Sequence, residues 1–231
     1  MKKGKHIGIV GVSSEGAALC YRTICTEAGR RLGAHIHPEV TLHNFSFADI
    51  LACQNREDWD ALASILTDSV KKLAQAGADF AVIPSNAVHI VFGHVARLSP
   101  IPLLSILQVV AEECARRGFK KVGVLGVGLT MEKHIYREPL HILGIEAVDP
   151  DRDAQKEVSN IIYEEIVPAR INHESASRIV QIIENLKADG CDGVILGCTE
   201  LPLVINESNS PLPFIDSTRA LALRALEYAL V

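Results

Sequence analysis

The chain has 231 residues, of which 48% are apolar and 22% are charged, and its formal net charge is -5. This length allows one large domain or two small ones with a substantial core, and the composition is that of a globular protein. An acidic chain has no excess of basic surface, so the sequence argues against nucleic acid as a partner.

The apolar stretches are too short for a signal peptide or a membrane helix. The N-terminal run MKKGKHIGIVGV is interrupted by glycines and has no small-residue cleavage site. The later run at 101–111 contains Pro102, Ser105 and Gln108, and it falls well short of the ~20 apolar residues that a membrane helix needs. We therefore expect a cytoplasmic protein without membrane contact.

The six cysteines form no CxxC pair, so neither a zinc ribbon nor a thioredoxin-type site is expected. A disulfide framework is also not expected in a cytosolic chain of this size. His35 and His37 have a spacing that would place both on one face of a strand, but no third ligand is evident. The sequence therefore predicts no metal site.

Short apolar runs alternate with segments of helical periodicity. The runs at 7–10, 80–83, 122–125 and 194–196 are nearly continuous, as in parallel strands that are covered on both faces. Helical periodicity occurs between them, at 58–76, 106–117, 154–166 and 175–187. The alternation predicts an α/β fold with parallel sheets.

Two parts of the sequence repeat. GADFAVIPSN at 77–86 aligns with GCDGVILGCT at an offset of 113 residues, and KHIGIVG at 5–11 aligns with KKVGVLG at an offset of 115. Two matches at nearly the same offset predict two similar α/β halves, although buried parallel strands that end in glycine also resemble one another by chance. We place the first domain at 1–104 plus 213–231 and the second at 105–212, with the C-terminal helix returning to the first half.

Ser85 and Cys198 each follow one of the repeated strands. Ligands in open α/β sheets lie outside the carboxyl ends of the strands, so two halves related by a pseudo-twofold axis would bring both residues to one cleft. A position between a strand and a helix binds carboxylates, and it lowers a cysteine pKa from about 8.5. A thiolate facing a second proton carrier can move a proton across a carbon centre. A packed core thiol is the alternative for Cys198 taken alone.

Four segments resemble the aspartate/glutamate racemase family. ILGCTEL at 195–201 resembles its GCTE signature, and IPSNAVH at 83–89 resembles its P-C-N-T-x-H signature. GVGLTME at 126–132 is similar to GT-x-x-T-M-E, and IYEEI at 162–166 is similar to I-Y-E-E-L. These segments occur in the family's order and extend over essentially the whole chain.

The resemblance implies a racemase that works without pyridoxal phosphate or another cofactor. It implies two Rossmann-like domains with the active site in the cleft between them, usually in a homodimer. In that family two cysteines flank the α-carbon of an acidic amino acid, and one removes the α-proton while the other protonates the opposite face. Cys198 matches the second cysteine. Asn86, Thr130 and Thr199 match positions that hold substrate carboxylates, and His89 matches a motif histidine with a structural role.

Two positions depart from the family pattern: Ser85 replaces the first cysteine, and Ala87 replaces the following threonine. A serine hydroxyl is a much weaker acid than a thiol and needs a base, which His89 or Glu200 could supply. Three interpretations stay open. Ser85 is a slower carrier with unequal rates in the two directions, or Cys198 alone carries out a decarboxylation or isomerisation, or the serine is an engineered replacement of a cysteine.

Three further residues are candidates for substrate contact. Ser14 follows the first strand and could touch substrate, or it could simply cap a helix. Gln54 and Arg170 lie in loop-like regions where the family often places groups that read the distal carboxylate, and an arginine fork suits a carboxylate.

Two other classes of function are weighed against the racemase. Gly126-x-Gly128 follows a strand, with Glu146 twenty residues after Gly126, but the third glycine of a dinucleotide fingerprint is missing. A protein that only binds an acidic amino acid is the second alternative. The sequence as a whole predicts a racemase of aspartate or glutamate without cofactor or metal, in which Cys198 is the principal acid and base and Ser85 stands opposite.

Overall fold

The computed structural model describes residues 4–168, 170 and 173–231. The chain divides into two compact units, the first made of Met1–Val109 and Thr218–Val231 and the second of Val110–Ser217. Each unit has one four-stranded parallel sheet with helices, so the predicted α/β class is confirmed. Among the described residues, no helix combines the length and the apolar character that crossing a membrane requires.

The first unit has the strand order β2-β1-β3-β4. Its strands are β1 Ile7–Gly11, β2 Val40–Asn44, β3 Phe80–Val82 and β4 Leu103–Leu104. Its helices are α1 Ser14–Leu32, α2 Phe47–Asn55, α3 Trp59–Gln75 and α4 Phe92–Leu98, with a 3-10 turn at Ala87–Val91. Helix α5, Ile106–Arg116, begins in this unit and continues into the second.

The second unit repeats the arrangement with the strand order β6-β5-β7-β8. Its strands are β5 Lys121–Leu125, β6 Glu146–Val148, β7 Gly193–Leu196 and β8 Phe214–Asp216. Its helices are α6 Gly128–Glu132, α7 Arg137–Ile142, α8 Arg152–Ile161 and α9 His173–Ala188, with a π-helical turn at Ile162–Ile166 and a 3-10 turn at Leu201–Leu203. Helix α10, Ser217–Leu230, follows β8.

The register of the central strands confirms the internal repeat. Gly8 pairs with Ala81 between β1 and β3, and Gly123 pairs with Val194 between β5 and β7, at the offsets seen in the sequence. An aspartate repeats as well. The Asp79 carboxylate accepts the backbone N–H of His6 at 2.6 Å, and the equivalent Asp192 accepts that of Lys120 at 2.8 Å.

Buried apolar side chains and helix caps explain why these elements form. All five residues of β1 are buried, as are all of β3 and β7, which is the pattern of strands covered on both faces. Helix α1 begins after Ser13, whose hydroxyl accepts the N–H of Gly16 at 3.1 Å. The carboxylate of Asp151 caps α8 in the same way, and such caps each stabilise a helix by about 1 kcal/mol.

The C-terminal helix α10 packs within the first unit. The backbone N–H of Lys5 donates to the carbonyl of Ala229 at 2.8 Å. The ring of Tyr228 meets Phe80 of β3 edge-on, with 4.7 Å between the centroids, and the ammonium of Lys5 lies 4.1 Å from the Tyr228 centroid. These contacts tie the last helix to β3 and to the segment that precedes β1.

Two local predictions were wrong. The helix expected at 154–166 ends at Ile161, and the chain continues as the π-helical turn. Gln54 was placed in a loop, but it lies in the last turn of α2, because Phe47–Asn55 has apolar residues at helical spacing and buries Ile50 and Cys53.

Candidate active site

The polar residues of the predicted site lie at the carboxyl ends of central strands. In the first sheet the chain passes from β1 to its neighbour β2 on one side, and from β3 to its neighbour β4 on the other side; the second sheet repeats this with β5 to β8. Ligands in open α/β sheets bind where the strand order reverses in this way. In the second unit, Thr130 follows β5 and Cys198 follows β7, so both stand beside that point. In the first unit, Ser14 follows β1 and Ser85 follows β3.

Cys198, Thr199 and Glu200 form a buried polar cluster after β7. The thiol of Cys198 donates to Oε2 of Glu200 at 3.0 Å, and the hydroxyl of Thr199 donates to the same oxygen. The three residues are 8%, 6% and 7% exposed. A carboxylate so enclosed depends on these donors, because burying a charge without partners is costly.

The surroundings of Cys198 keep its thiol protonated. Burial, then the charge of Glu200 and the hydrogen bond to it, raise the pKa of Cys198 well above its ordinary value, although the backbone N–H groups of Glu200 and Leu201 oppose the rise. The expectation that a helix N-terminus lowers this pKa was therefore wrong. The element after Cys198 is a 3-10 turn of three residues, too short for a substantial dipole, so burial and the adjacent carboxylate outweigh its effect on the pKa.

Tyr163, for which the sequence analysis expected no role, lies near enough to this cluster to be affected by its charge, and its side chain is 39% exposed. Burial and the charges of Cys198 and Glu200 raise the pKa of Tyr163 to about 12. The phenol is therefore neutral and could donate a hydrogen bond, although it makes none with the described residues. Tyr163 lies in the π-helical turn Ile162–Ile166, and such turns are frequent at functional sites. Its signal in the sequence was the IYEEI segment.

Thr130 presents a fully buried hydroxyl at the end of β5. Its Oγ1 has no hydrogen-bond partner among the described residues. The side chain is held between two glycines: a Cβ added at Gly126 would lie 3.0 Å from the Thr130 methyl group, and one added at Gly197 would lie 3.4 Å from it. Since Gly197 precedes Cys198, Thr130 lies next to the thiol-bearing turn. Buried polar groups normally have partners, so this hydroxyl is suited to a substrate atom.

The backbone of Ser85 is held by a hydrogen bond from the buried side chain of His89. Nδ1–H of His89 donates to the Ser85 carbonyl at 2.7 Å, and Nε2 of the same ring accepts the N–H of Ile106 at 3.1 Å. Burial lowers the pKa of His89 to about 4. Both ring nitrogens are therefore engaged with the backbone and the ring is neutral, so His89 is not the base for the Ser85 hydroxyl. That hydroxyl is half-buried and has no hydrogen-bond partner among the residues that the structure describes.

Asn86 and Ser14 are placed differently in the first unit. Asn86 is 3% exposed and directly precedes the 3-10 turn, where its carbonyl accepts the N–H of His89 at 2.9 Å. Ser14 is the first residue of α1 and is exposed, while Ser13 is the capping residue. Ser14 is therefore not the cap of α1.

The two residues expected to contact the distal carboxylate of a substrate are polar but not buried. Gln54 is half-buried near the end of α2. Arg170 is exposed, and its backbone N–H donates to the carbonyl of Glu165 at 2.7 Å. Its neighbours Ala169, Ile171 and Asn172 lie outside the described residues.

The metal and nucleotide alternatives find little support in the described part of the chain. His35 and His37 are exposed and precede β2 rather than lying on it, and within the described ranges no three His, Cys, Asp or Glu side chains are grouped to hold a metal. The N–H of Gly128, which would face a pyrophosphate in a dinucleotide site, donates to Oγ of Ser159 at 3.1 Å.

Comparison with known proteins agrees with this arrangement. The sequence model described as Asp/Glu/hydantoin racemase matches residues 9–225. The chain belongs to this racemase family. The match includes every residue of the Cys198 cluster, Thr130 and the Ser85 segment, so the family resemblance read from the motifs is confirmed.

Among curated relatives of this racemase-family chain is the broad specificity amino-acid racemase RacX of Bacillus subtilis (strain 168). The two are 28% identical over 165 residues, which is 71% of each chain. A glutamate racemase of Sulfurihydrogenibium is 28% identical over 119 residues, or 51% of this chain.

Solved structures of family members superpose over almost the whole chain. A candidate Asp/Glu racemase from Yersinia pestis is 33% identical, with a TM-score of 0.90 over 98% of this chain and 100% of that one. An aspartate racemase homologue from Pyrococcus horikoshii OT3 is also 33% identical, with a TM-score of 0.83 over 97% and 99%. The fold of this chain is therefore the two-domain fold of Asp/Glu racemases.

Proposed function

We propose that this chain interconverts the L and D forms of an acidic amino acid, aspartate or glutamate, without a cofactor. The observation that carries the proposal is the buried Cys198 thiol that donates to Glu200. A thiol with a carboxylate in contact can pass its own proton to that carboxylate and then take the α-proton of a substrate. Family membership supports the reaction class.

The cluster suggests how the thiol could act although its pKa is high. The Cys198 proton moves to Oε2 of Glu200, and the thiolate then takes the α-proton, which leaves a carbanion and a neutral thiol. The backbone N–H groups that face the sulfur offset part of the charge on the thiolate. The hydroxyl of Thr199, which already donates to the same oxygen, would stabilise the cluster while the proton moves.

We propose that Thr130, Asn86 and the backbone beside Thr199 hold the α-carboxylate, with Gln54, Arg170 and Ser14 nearer the distal group. The partnerless buried hydroxyl of Thr130 supports this assignment. A hydroxyl is a neutral donor and, once desolvated, binds a carboxylate without a competing water.

Ser85 is proposed as the second proton carrier, with lower competence than Cys198. Its hydroxyl lacks a base among the described residues because His89 is committed to the backbone. A serine without a base can give a proton to a carbanion far more easily than it can remove one from a substrate. We therefore expect the two enantiomers to lose their α-protons at different rates.

The test is loss of the α-proton signal by NMR in D2O, with L- and D-aspartate and L- and D-glutamate in separate samples. We expect at least one enantiomer to exchange its α-proton with solvent. This exchange should be faster than the decay of its optical rotation. C198A should abolish exchange, and E200Q should slow it by roughly 100-fold because the thiol loses its acceptor. S85C should raise exchange of the slower enantiomer, because a thiol replaces the hydroxyl.

E207Q is the matched control, since Glu207 is exposed and has no contact with the cluster. Exchange that survives in C198A would remove Cys198 from the mechanism. Absence of exchange from all four amino acids would favour a binding protein. Exchange without any inversion, unchanged by S85C, would favour chemistry by Cys198 alone. The homodimer and the cytoplasmic location stay predictions, and light scattering of the purified protein tests the first.

A further inference from the structure

A polar cavity lies in the second unit, beside the start of α8, which follows the edge strand β6. Its volume is about 360 Å³, and it is lined by Glu132, His134, Arg152, Gln155 and Lys156. None of these residues belongs to the Cys198 cluster. The volume falls within the range of small-molecule sites, about 300 to 1,000 Å³.

One wall of the cavity carries two cations without partners. Arg152 and Lys156 are one turn apart at the start of α8, and neither has a hydrogen bond or an ion pair with a described residue. Like charges at this spacing on a helix repel, and a cation in the first turn opposes the helix dipole. Two neighbouring carboxylates do not neutralise these cations, because Asp151 caps the helix and Glu157 pairs with Arg178. A bound anion would relieve both penalties.

The remaining walls carry acceptors. The carboxylate of Glu132 has no partner among the described residues. Gln155 is 8% exposed, and its Nε2 donates to the carbonyl of Pro150 at 2.7 Å, so its Oε1 is left for the cavity. The ring of His134 is fixed by Asp149, whose Oδ2 lies 2.6 Å from Nδ1.

We propose that this cavity is a binding site for an acidic amino acid, separate from the Cys198 site. Arg152 and Lys156 would take the two carboxylates, and Glu132 with Oε1 of Gln155 would take the ammonium group. Cations on one wall and acceptors on the others match a molecule that carries both charges. The assignment follows from the charges of the cavity and does not depend on activity at Cys198.

The test is amide NMR of the full chain, carried out with C198A so that no turnover occurs, during titration with L-glutamate and then D-glutamate. We expect saturable shifts at the amides of Glu132, His134 and the first turns of α8. R152Q/K156Q should weaken these shifts at least about tenfold, which corresponds to one lost charge contact. R22Q/K187Q is the control, because it removes the same charge from two exposed cations on other helices.

Succinate and inorganic phosphate separate an amino-acid site from a general anion site. Succinate lacks the ammonium group, so we expect it to bind at least about tenfold more weakly, and E132Q should remove that difference. Equal affinity for phosphate or succinate would overturn the proposal, as would the absence of saturable shifts up to about 20 mM ligand. Shifts that persist unchanged in R152Q/K156Q would also overturn it. The exchange assay on the wild-type chain reports on Cys198 independently of these results.

Discussion

At the scale of single residues, burial and one charged neighbour set the protonation state of Cys198. Burial and the Glu200 carboxylate raise the pKa of the thiol, which donates a hydrogen bond to that carboxylate, so the resting thiol is neutral and the base that we propose for it is already in contact. This differs from a cysteine activated by a helix dipole, where the thiolate is present before substrate arrives. In the mechanism that we propose, activation by Glu200 would limit the exposure of a reactive thiolate to oxidants.

His89 makes the stability of the protein dependent on pH. Its pKa is lowered to about 4 in the folded protein, while in an unfolded chain it is about 6.5. Between these values the unfolded chain binds a proton that the folded protein does not, so stability falls as pH falls through this window. We expect the neutral His89 ring to reduce the free energy of unfolding by about 3 kcal/mol between neutral pH and pH 4. Urea unfolding at the two pH values measures this difference.

H89Q should remove most of this pH dependence and lower stability near neutral pH by about 2 kcal/mol, because two buried backbone groups lose their partner. H141Q, at an exposed histidine, should leave both quantities unchanged. If H89Q does not fold, NMR titration of the His89 ring in the wild type tests the same point. A ring that protonates near pH 6.5 would contradict the prediction.

At the scale of elements, the ends of β5 and β7 approach so closely that only glycine fits. A Cβ at Gly126 would lie 2.9 Å from the carbonyl oxygen of Gly197, and one at Gly197 would lie 2.9 Å from the carbonyl oxygen of Leu125. These carbonyl oxygens belong to the backbone, which cannot move away from an added Cβ as a flexible side chain can. The close approach keeps Thr130 beside the turn that carries Cys198.

G126A should therefore destabilise the protein by about 1 to 3 kcal/mol and slow α-proton exchange by displacing Thr130. Urea unfolding and the exchange assay measure the two effects. G93A is the matched control, since a Cβ at this exposed glycine of α4 meets nothing within 4 Å. It should raise stability by about 0.5 kcal/mol through helix propensity. Equal effects of the two changes would contradict the close-packing argument.

At the scale of the whole molecule, the last helix links the end of the chain to the first unit. Y228A removes the edge-on contact with Phe80 and the contact with the Lys5 ammonium. Because Tyr228 is half-buried, we expect a loss of about 2 kcal/mol in the free energy of unfolding. L230A, at a side chain that is 40% exposed, should cost less than about 0.5 kcal/mol. A similar loss in both variants would show that Tyr228 does not anchor the helix.

The sequence alone predicted the class of the fold and the place of the principal residue. Strands buried on both faces read as unbroken apolar runs, so β1, β3, β5 and β7 were visible, and their repetition revealed two similar halves. The edge strands were not visible, because β4 has two residues and β6 and β8 have three each, too few for a periodic pattern, and β2 has no buried residue in its five. Local motifs also placed Cys198 and Thr130 directly after strands.

Only the tertiary structure decided what these residues have around them. The direction of the Cys198 pKa, the occupation of both His89 nitrogens and the raised pKa of Tyr163 depend on burial and on distances between side chains and backbone in the folded chain. Helical periodicity cannot report such distances, and a motif names a residue without naming its partners. The sequence therefore determined the two parallel sheets and their carboxyl-edge residues, whereas packing decided which side chains are charged and which can exchange a proton.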